Sequence, residues 1–272
     1  MQRLRATAVL LALLVLVFSL ASCQKLKARD ELNKGVRAYK GAQFDAAIEH
    51  FKRAIELDPQ LINARVFLAV AYASQFVPGS PAESNKRLGL TAIDAFEDVL
   101  KYDPKNITSI SYIASLYFGI GGAERETEAM RPPLEKAKEY RRRLIELEPN
   151  NAEHYYSIGV IDWTLTYKPR MELRNRMGLA RPEDPLPRRA REELAAKNNA
   201  LVDEGIEVLD RALQLNPEYA DAMAYLNLMY REKADLVADP NEREQFLQRA
   251  DELAERAQQI LRKKAEAPTP TR

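Results

Sequence analysis

The chain holds one cysteine, two histidines, one tryptophan and ten glycines in 272 residues. A lone cysteine excludes an intramolecular disulfide, and two histidines with one cysteine cannot build a Cys/His zinc site, although carboxylates remain available for calcium or magnesium. Surplus charge is also missing. The 41 basic and 40 acidic residues leave a net +1, without the electrostatic pull toward nucleic acid that a strongly basic chain has. No apolar run approaches the roughly 20 residues of a membrane-spanning helix, since the uninterrupted stretch Ala8 to Phe18 has eleven. Period-2 strand patterns are absent. The one glycine cluster, Gly119-Ile120-Gly121-Gly122, has no strand before it and no lysine closing it as a phosphate loop requires, so it reads as a turn. His50 and His154 sit apart as ordinary helix residues, and Glu192 and Glu193 show no partner that would raise a carboxyl pKa. Neither enzyme activity nor a cofactor or metal is expected. Composition itself, 46% apolar and 30% charged, suits a folded chain.

The N-terminus has the layout of an export signal. Arg3 and Arg5 precede the apolar run, which leads into Leu20-Ala21-Ser22-Cys23. This resembles the lipobox of bacterial lipoproteins, in which residues 1–22 are removed and the thiol of Cys23 carries diacylglycerol. Acylation supplies about 0.8 kcal/mol per buried methylene, so a multiply acylated Cys23 holds a protein at a bilayer without a spanning helix. The glutamine at 24, where an aspartate favours inner-membrane retention in enterobacteria, implies by resemblance the outer membrane, facing the periplasm. Residues 23–27 are then the lipidated anchor and a short extended linker.

Beyond it the chain repeats. Ala46 to Pro59, Ala92 to Pro104, Ala137 to Pro149 and Gly205 to Pro217 are variants of one amphipathic segment, each ending in an acidic or amide residue followed by proline. Proline disfavours helix at the residue before it, so each segment is a helix with a fixed stop. A second amphipathic segment precedes each one, with apolar residues at helical spacing. The expected units are 28–59, 62–104, 107–149, 152–217 and 220–262, with the extra length of the later units lying between the two helices of each pair. The prolines fall outside the expected helices, and 263–272 reads as a disordered tail.

The pattern resembles the tetratricopeptide repeat. Gly35, Ala47, Phe51, Ala54 and Pro59 occupy the first unit's small, aromatic and proline positions. The third unit departs from it, with Arg141 in the aromatic place and Leu144 in a small one. The resemblance implies an all-α, right-handed superhelical solenoid of about five antiparallel helix pairs whose first helices line a concave groove. Groove positions fall on Tyr39, Val66, Val70, Phe118, Tyr156, Val160, Trp163 and Leu228. They lack the lysine and asparagine with which chaperone-binding members clamp a peptide carboxylate, so the expected partner is an apolar or amphipathic peptide or helix of an envelope protein. The second expectation is a small-molecule or lipid-binding protein, for example one associated with a transporter. A Pro-rich insertion, 168–191, carries eight basic residues against three acids. It reads as a mobile basic arm or lid, with Lys168, Arg170, Arg174, Arg176, Arg188, Arg189 and Arg191 offered to anionic partners. Nucleic acid is not expected as a partner.

Overall fold

A computed structural model describes residues 23–179, 181 and 184–266, so the expected signal segment 1–22 and the last six residues lie outside the described residues. Every regular element among the described residues is helical: α1 (23–40), α2 (Phe44–Leu57), α3 (Ile62–Ala73), α4 (Glu83–Tyr102), α5 (Ile107–Ala123), α6 (Thr127–Leu147), α7 (Ala152–Arg176), α8 (Arg188–Leu215), α9 (Ala220–Ala234) and α10 (Pro240–Glu266). In chain order they form five antiparallel pairs, α1/α2 through α9/α10, the all-α fold expected from the repeat.

The stops are local. Asp58, Asp103, Glu148 and Asn216 each precede a proline, and each leaves the helix with φ between −141° and −132°. Their N–H groups still reach back to the carbonyls of Ala54, Val99, Leu144 and Ala212, which satisfies the last turn. Asn151 caps the start of α7 by accepting from the N–H of Glu153 at 3.1 Å.

The helices divide into two units, one ending at Leu116 and the other beginning at Tyr117 within α5. In the first, Ala47, Ile48, Phe51 and Ala71 form a core against Leu32, Val36 and Tyr39 of α1 and Leu68 and Tyr72 of α3. Arg65 of α3 donates to the carbonyl of Pro59 at 2.9 Å, pairs with Asp98 and lies 4.1 Å above the ring of Tyr102, joining α3 and α4 to the preceding turn. In the second unit the largest core gathers Leu173, Leu186, Leu194, Val202, Leu209, Leu226 and Met229 from α7, α8 and α9 and the connection between α7 and α8. Another joins Met130, Leu134 and Ala137 of α6 to Ile161 and Leu165 of α7.

Extra length in the later units goes largely into helix rather than loop. α4, α6, α8 and α10 have 20, 21, 28 and 27 residues against 14 in α2. Several expectations change accordingly. Pro132 and Pro133 lie inside α6 and Pro169 inside α7, so prolines do enter helices. Beside Pro169, the side chain of Asn198 donates to the carbonyl of Thr166 at 3.1 Å and supports the strand of backbone that proline weakens. The glycine cluster is the end of α5 rather than a turn: a Cβ on Gly121 would lie 2.7 Å from Leu134. Residues 23–27 are helical, not an extended linker, and 263–266 continue α10 rather than beginning a disordered tail.

Close approach of helices is set by residues without side chains. A Cβ on Gly35 would sit 2.5 Å from the ring of Phe51, and one on Gly205 would overlap the terminal methyl of Met229. Both side chains are at 0% exposure, but a rigid phenyl ring cannot bend away, whereas the flexible end of methionine can change rotamer. Gly35→Ala is therefore expected to lose about 1–3 kcal/mol to overpacking, against a helix-propensity gain of about 1 kcal/mol. Gly205→Ala is expected to be near neutral. Urea unfolding of the two variants checks this, and equal midpoints would contradict the rigid-ring account.

Candidate functional site

The second unit carries an aromatic face on its first helices. α7 and α9 touch one another, and α7 presents Tyr156, Val160 and Trp163 while α9 presents Tyr225 and Leu228. All five are half-buried. Tyr156 packs against Tyr219 at 4.9 Å between centroids and edge-on to Tyr225 at 5.6 Å. Trp163 meets Tyr225 edge-on at 5.4 Å and stacks with Tyr167 at 4.7 Å. These are favourable aromatic geometries, so the rings hold one another in place with part of each surface still open to solvent. Tyr167 is 40% exposed and forms the outer edge of the cluster.

Acidic groups border it at the N-terminal end of both helices. The Tyr219 hydroxyl donates to Glu153, and Glu153 and Asp221 are exposed beside it. Burial is the main cause that pushes the Tyr156 phenol up to about 12, with Tyr225, Asp221 and Glu153 adding to it. Tyr219 and Tyr225 are raised in the same sense, again chiefly by burial. The cluster is therefore neutral, apolar in body and rimmed by carboxylates.

The other expected groove residues are placed as follows. Phe118, half-buried, packs against the Met130, Leu134 and Leu165 cluster of its own unit. Tyr39, Val66 and Val70 belong to the first unit and are half-buried there. Tyr39 packs on Phe44 at 5.6 Å and shares a hydrogen bond with Ser74 at 2.9 Å. Cys23 is a free, exposed thiol on α1.

The basic arm is overturned. Arg170 and Arg174 are buried, one helical turn apart on α7. Arg170 donates to Glu232 at 2.9 Å and to Asp235 at 2.7 Å, and Arg174 donates to Asp235 at 3.0 Å. Arg174 also donates to the carbonyls of Arg181 and, at 3.1 Å, Asp184, tying down the connection between α7 and α8. Lys168 and Arg176 lie on α7, and Arg188, Arg189 and Arg191 on α8, so these five are helical and belong to no free loop. Arg188 pairs with Glu192 at 2.8 Å. The physical reason is that α7 runs on past Pro169, carrying its cations to Glu232 of α9 and to Asp235, the residue that caps its end.

A second buried cluster was not anticipated at all. Lys138 of α6 and Asp162 of α7, 1% and 0% exposed at their side chains, pair with one another, and Lys138 also pairs with Glu204 of α8 at 2.8 Å. Arg142 holds Glu204 at 2.6 Å. Two carboxylates thus share one buried ammonium. Burial pushes the Asp162 carboxyl up to about 7, with Lys138 pulling the other way. Burial also opposes the charge on Glu204, but Lys138 and Arg142 outweigh it and hold that carboxyl below the usual range. Glu232 is likewise pushed up to about 7 by burial, against the pull of Arg170. The only sequence hint was spacing: Lys138 follows the core residue Ala137, and Asp162 follows Ile161.

Among the described residues no group of three or more His, Cys, Asp or Glu side chains could hold a metal ion, and no helix is long and apolar enough to cross a membrane. Residues 32–61, the end of α1 with α2 and its Asp-Pro stop, match the tetratricopeptide repeat family profile. No curated protein matches the chain by sequence. Among solved structures, a double mutant of MamA from Desulfovibrio magneticus RS-1 is similar with a TM-score of 0.53 at 16% identity, covering 88% of this chain and 97% of that one. MamA from its residue 41 to its end, from the same organism, has a TM-score of 0.50 at 16% identity, covering 89% and 98%. The repeat match and these likenesses of fold support a tetratricopeptide-repeat protein, a fold suited to holding other proteins rather than defined by a reaction.

The raised carboxyls give a sign for pH dependence. Between about pH 5 and pH 7 the folded chain retains protons on Asp162 and Glu232 that the unfolded chain has released, so stability falls as pH rises through this window. Asp162→Asn removes one of the two and is expected to flatten the decline. Urea midpoints measured across that range for both proteins decide it, and parallel profiles would contradict the assignment.

Proposed function

We propose that this chain is a non-catalytic adaptor, held by acylated Cys23 at the periplasmic face of a bacterial outer membrane, that binds an apolar or amphipathic segment of an envelope protein. The aromatic face of α7 and α9 carries the reading. Tyr156, Trp163 and Tyr225 are fixed by mutual packing before any partner arrives, so docking costs little side-chain entropy, and rings of this kind dominate binding energy at protein interfaces. The carboxylates of Glu153 and Asp221 at one end favour a partner whose apolar residues are followed by a basic one. Exposure of the Cys23 thiol on α1 is compatible with acylation, and the Leu-Ala-Ser-Cys run before and including it supports that step.

Crosslinking in the native host from a photoreactive side chain at position 167 is expected to give a discrete adduct. Tyr156→Ala or Trp163→Ala should reduce that adduct about tenfold or more while helical circular dichroism is retained. Loss of the helical signal instead would assign both rings to structural packing alone. For the anchor, Cys23→Ala is expected to abolish incorporation of labelled fatty acid and to release the chain from membranes. Undiminished labelling would exclude acylation at that thiol.

A further inference from the structure

The start of α1 has two features that its packing leaves unexplained. Leu26 is 71% exposed, more than any other large apolar side chain among the described residues. It lies three positions after Cys23, so helical spacing puts its side chain on the same outward face as the exposed thiol. The other face of these turns holds Ala28, at 0% exposure, and Leu32, which packs against the core of the first unit. Lys25, Lys27 and Arg29 flank Leu26, are all exposed, and form no ion pair within 4.0 Å among the described residues. The acids that follow are already occupied. Lys34 pairs with Asp30 and Glu31, each at 2.8 Å, and Glu31 also pairs with His50 at 2.7 Å. Three uncompensated cations therefore surround one exposed leucine within two turns of helix.

Proximity to a bilayer follows from the lack of a linker. α1 is already helical at Cys23, so Arg29 stands six residues, roughly 9 Å, along the helix from the anchoring position. That is about one Debye length at physiological salt, close enough for headgroup charge to be felt. We propose that, with Cys23 acylated, the first two turns of α1 seat on an anionic phospholipid surface. Leu26 enters the apolar boundary beside the acyl chains, and Lys25, Lys27 and Arg29 meet the headgroups. This surface rests on the acylation of Cys23 given above and adds a second attachment, which keeps the chain from pivoting about a single bond. An acyl chain at Cys23 brings a bilayer to this face before any protein partner arrives, which is why lipid is the occupant.

The test couples one fatty acyl chain chemically to Cys23, the sole cysteine, in the chain that starts at that residue, so that anchoring no longer depends on what the host attaches. A single acyl chain holds a protein at a membrane only marginally and reversibly, which leaves the contribution of α1 measurable. Partitioning onto phosphatidylcholine vesicles with about 30% phosphatidylglycerol is expected to exceed that onto phosphatidylcholine alone about tenfold or more, and roughly 0.5 M salt should remove the difference. One variant carrying Lys25→Gln, Lys27→Gln and Arg29→Gln is expected to lose the preference for anionic vesicles. Leu26→Ser should weaken binding to both compositions about tenfold or more. All four side chains are exposed, so the variants are expected to fold as the parent does, with helical circular dichroism as the check. Equal partitioning onto the two compositions, or a triple variant that binds as the parent does, would overturn the headgroup contact. Undiminished binding of Leu26→Ser would overturn the seating of the helix. Absence of fatty acid labelling at Cys23 in the host, with the vesicle preference intact, would instead remove the anchor and leave the surface.

Discussion

In three helix pairs, α1/α2, α5/α6 and α7/α8, and between α8 and α9, a glycine on one helix meets a bulky residue on the next, and much of the architecture follows from that contact. Gly35 lies under Phe51, Gly121 under Leu134, Gly159 under Leu209 and Gly205 under Met229, and a Cβ at any of them would collide with its neighbour. Backbones brought this close leave little room between them, so the aromatic and branched residues fill the space completely. Phe51, Leu134 and Leu209 are fully buried. Burial of side chains of this size supplies about 1.5–3 kcal/mol each, which is the main return for ordering the pair. The first helices are thereby held with one face outward, and in the second unit that face is where Tyr156 and Trp163 stand.

The same tight packing makes buried charge a matter of register. Lys138, Asp162 and Glu204 come from three helices, and Arg170, Arg174, Glu232 and Asp235 from α7 and the end of α9. A buried ion pair is often no more stable than apolar packing, but removing one partner costs about 3–5 kcal/mol because the other is left uncompensated. A shift of α7 by one residue would strand several of these groups at once. The charges therefore penalise misaligned arrangements of the unit more than they stabilise the correct one.

Aromatic rings preset by mutual stacking offer an apolar platform with carboxylates at its edge, suited to a protein segment. Proline acts in two ways elsewhere, stopping helices at Pro59, Pro104, Pro149 and Pro217 and lying inside one at Pro169, where Asn198 supports the neighbouring carbonyl of Thr166.

Helix ends and pairing were legible from residues alone because their causes are local: proline restricts the residue before it, and alanine or glycine at helical spacing marks a face that must be approached closely. Tyr156 and Trp163 were legible as first-helix residues for the same reason. Their ring partners Tyr219 and Tyr225 were not. Nor was the fate of 168–191, where a count of basic residues suggested a free arm. Arg170 and Arg174 are neutralised by carboxylates 61 to 65 positions away, and Lys138 by ones 24 and 66 positions away. By itself the sequence determined the helix stops before Pro59, Pro104, Pro149 and Pro217 and which apolar faces hide. Only the tertiary structure decided which charges go inside, because a cation can be buried only once folding has carried a distant carboxylate to it.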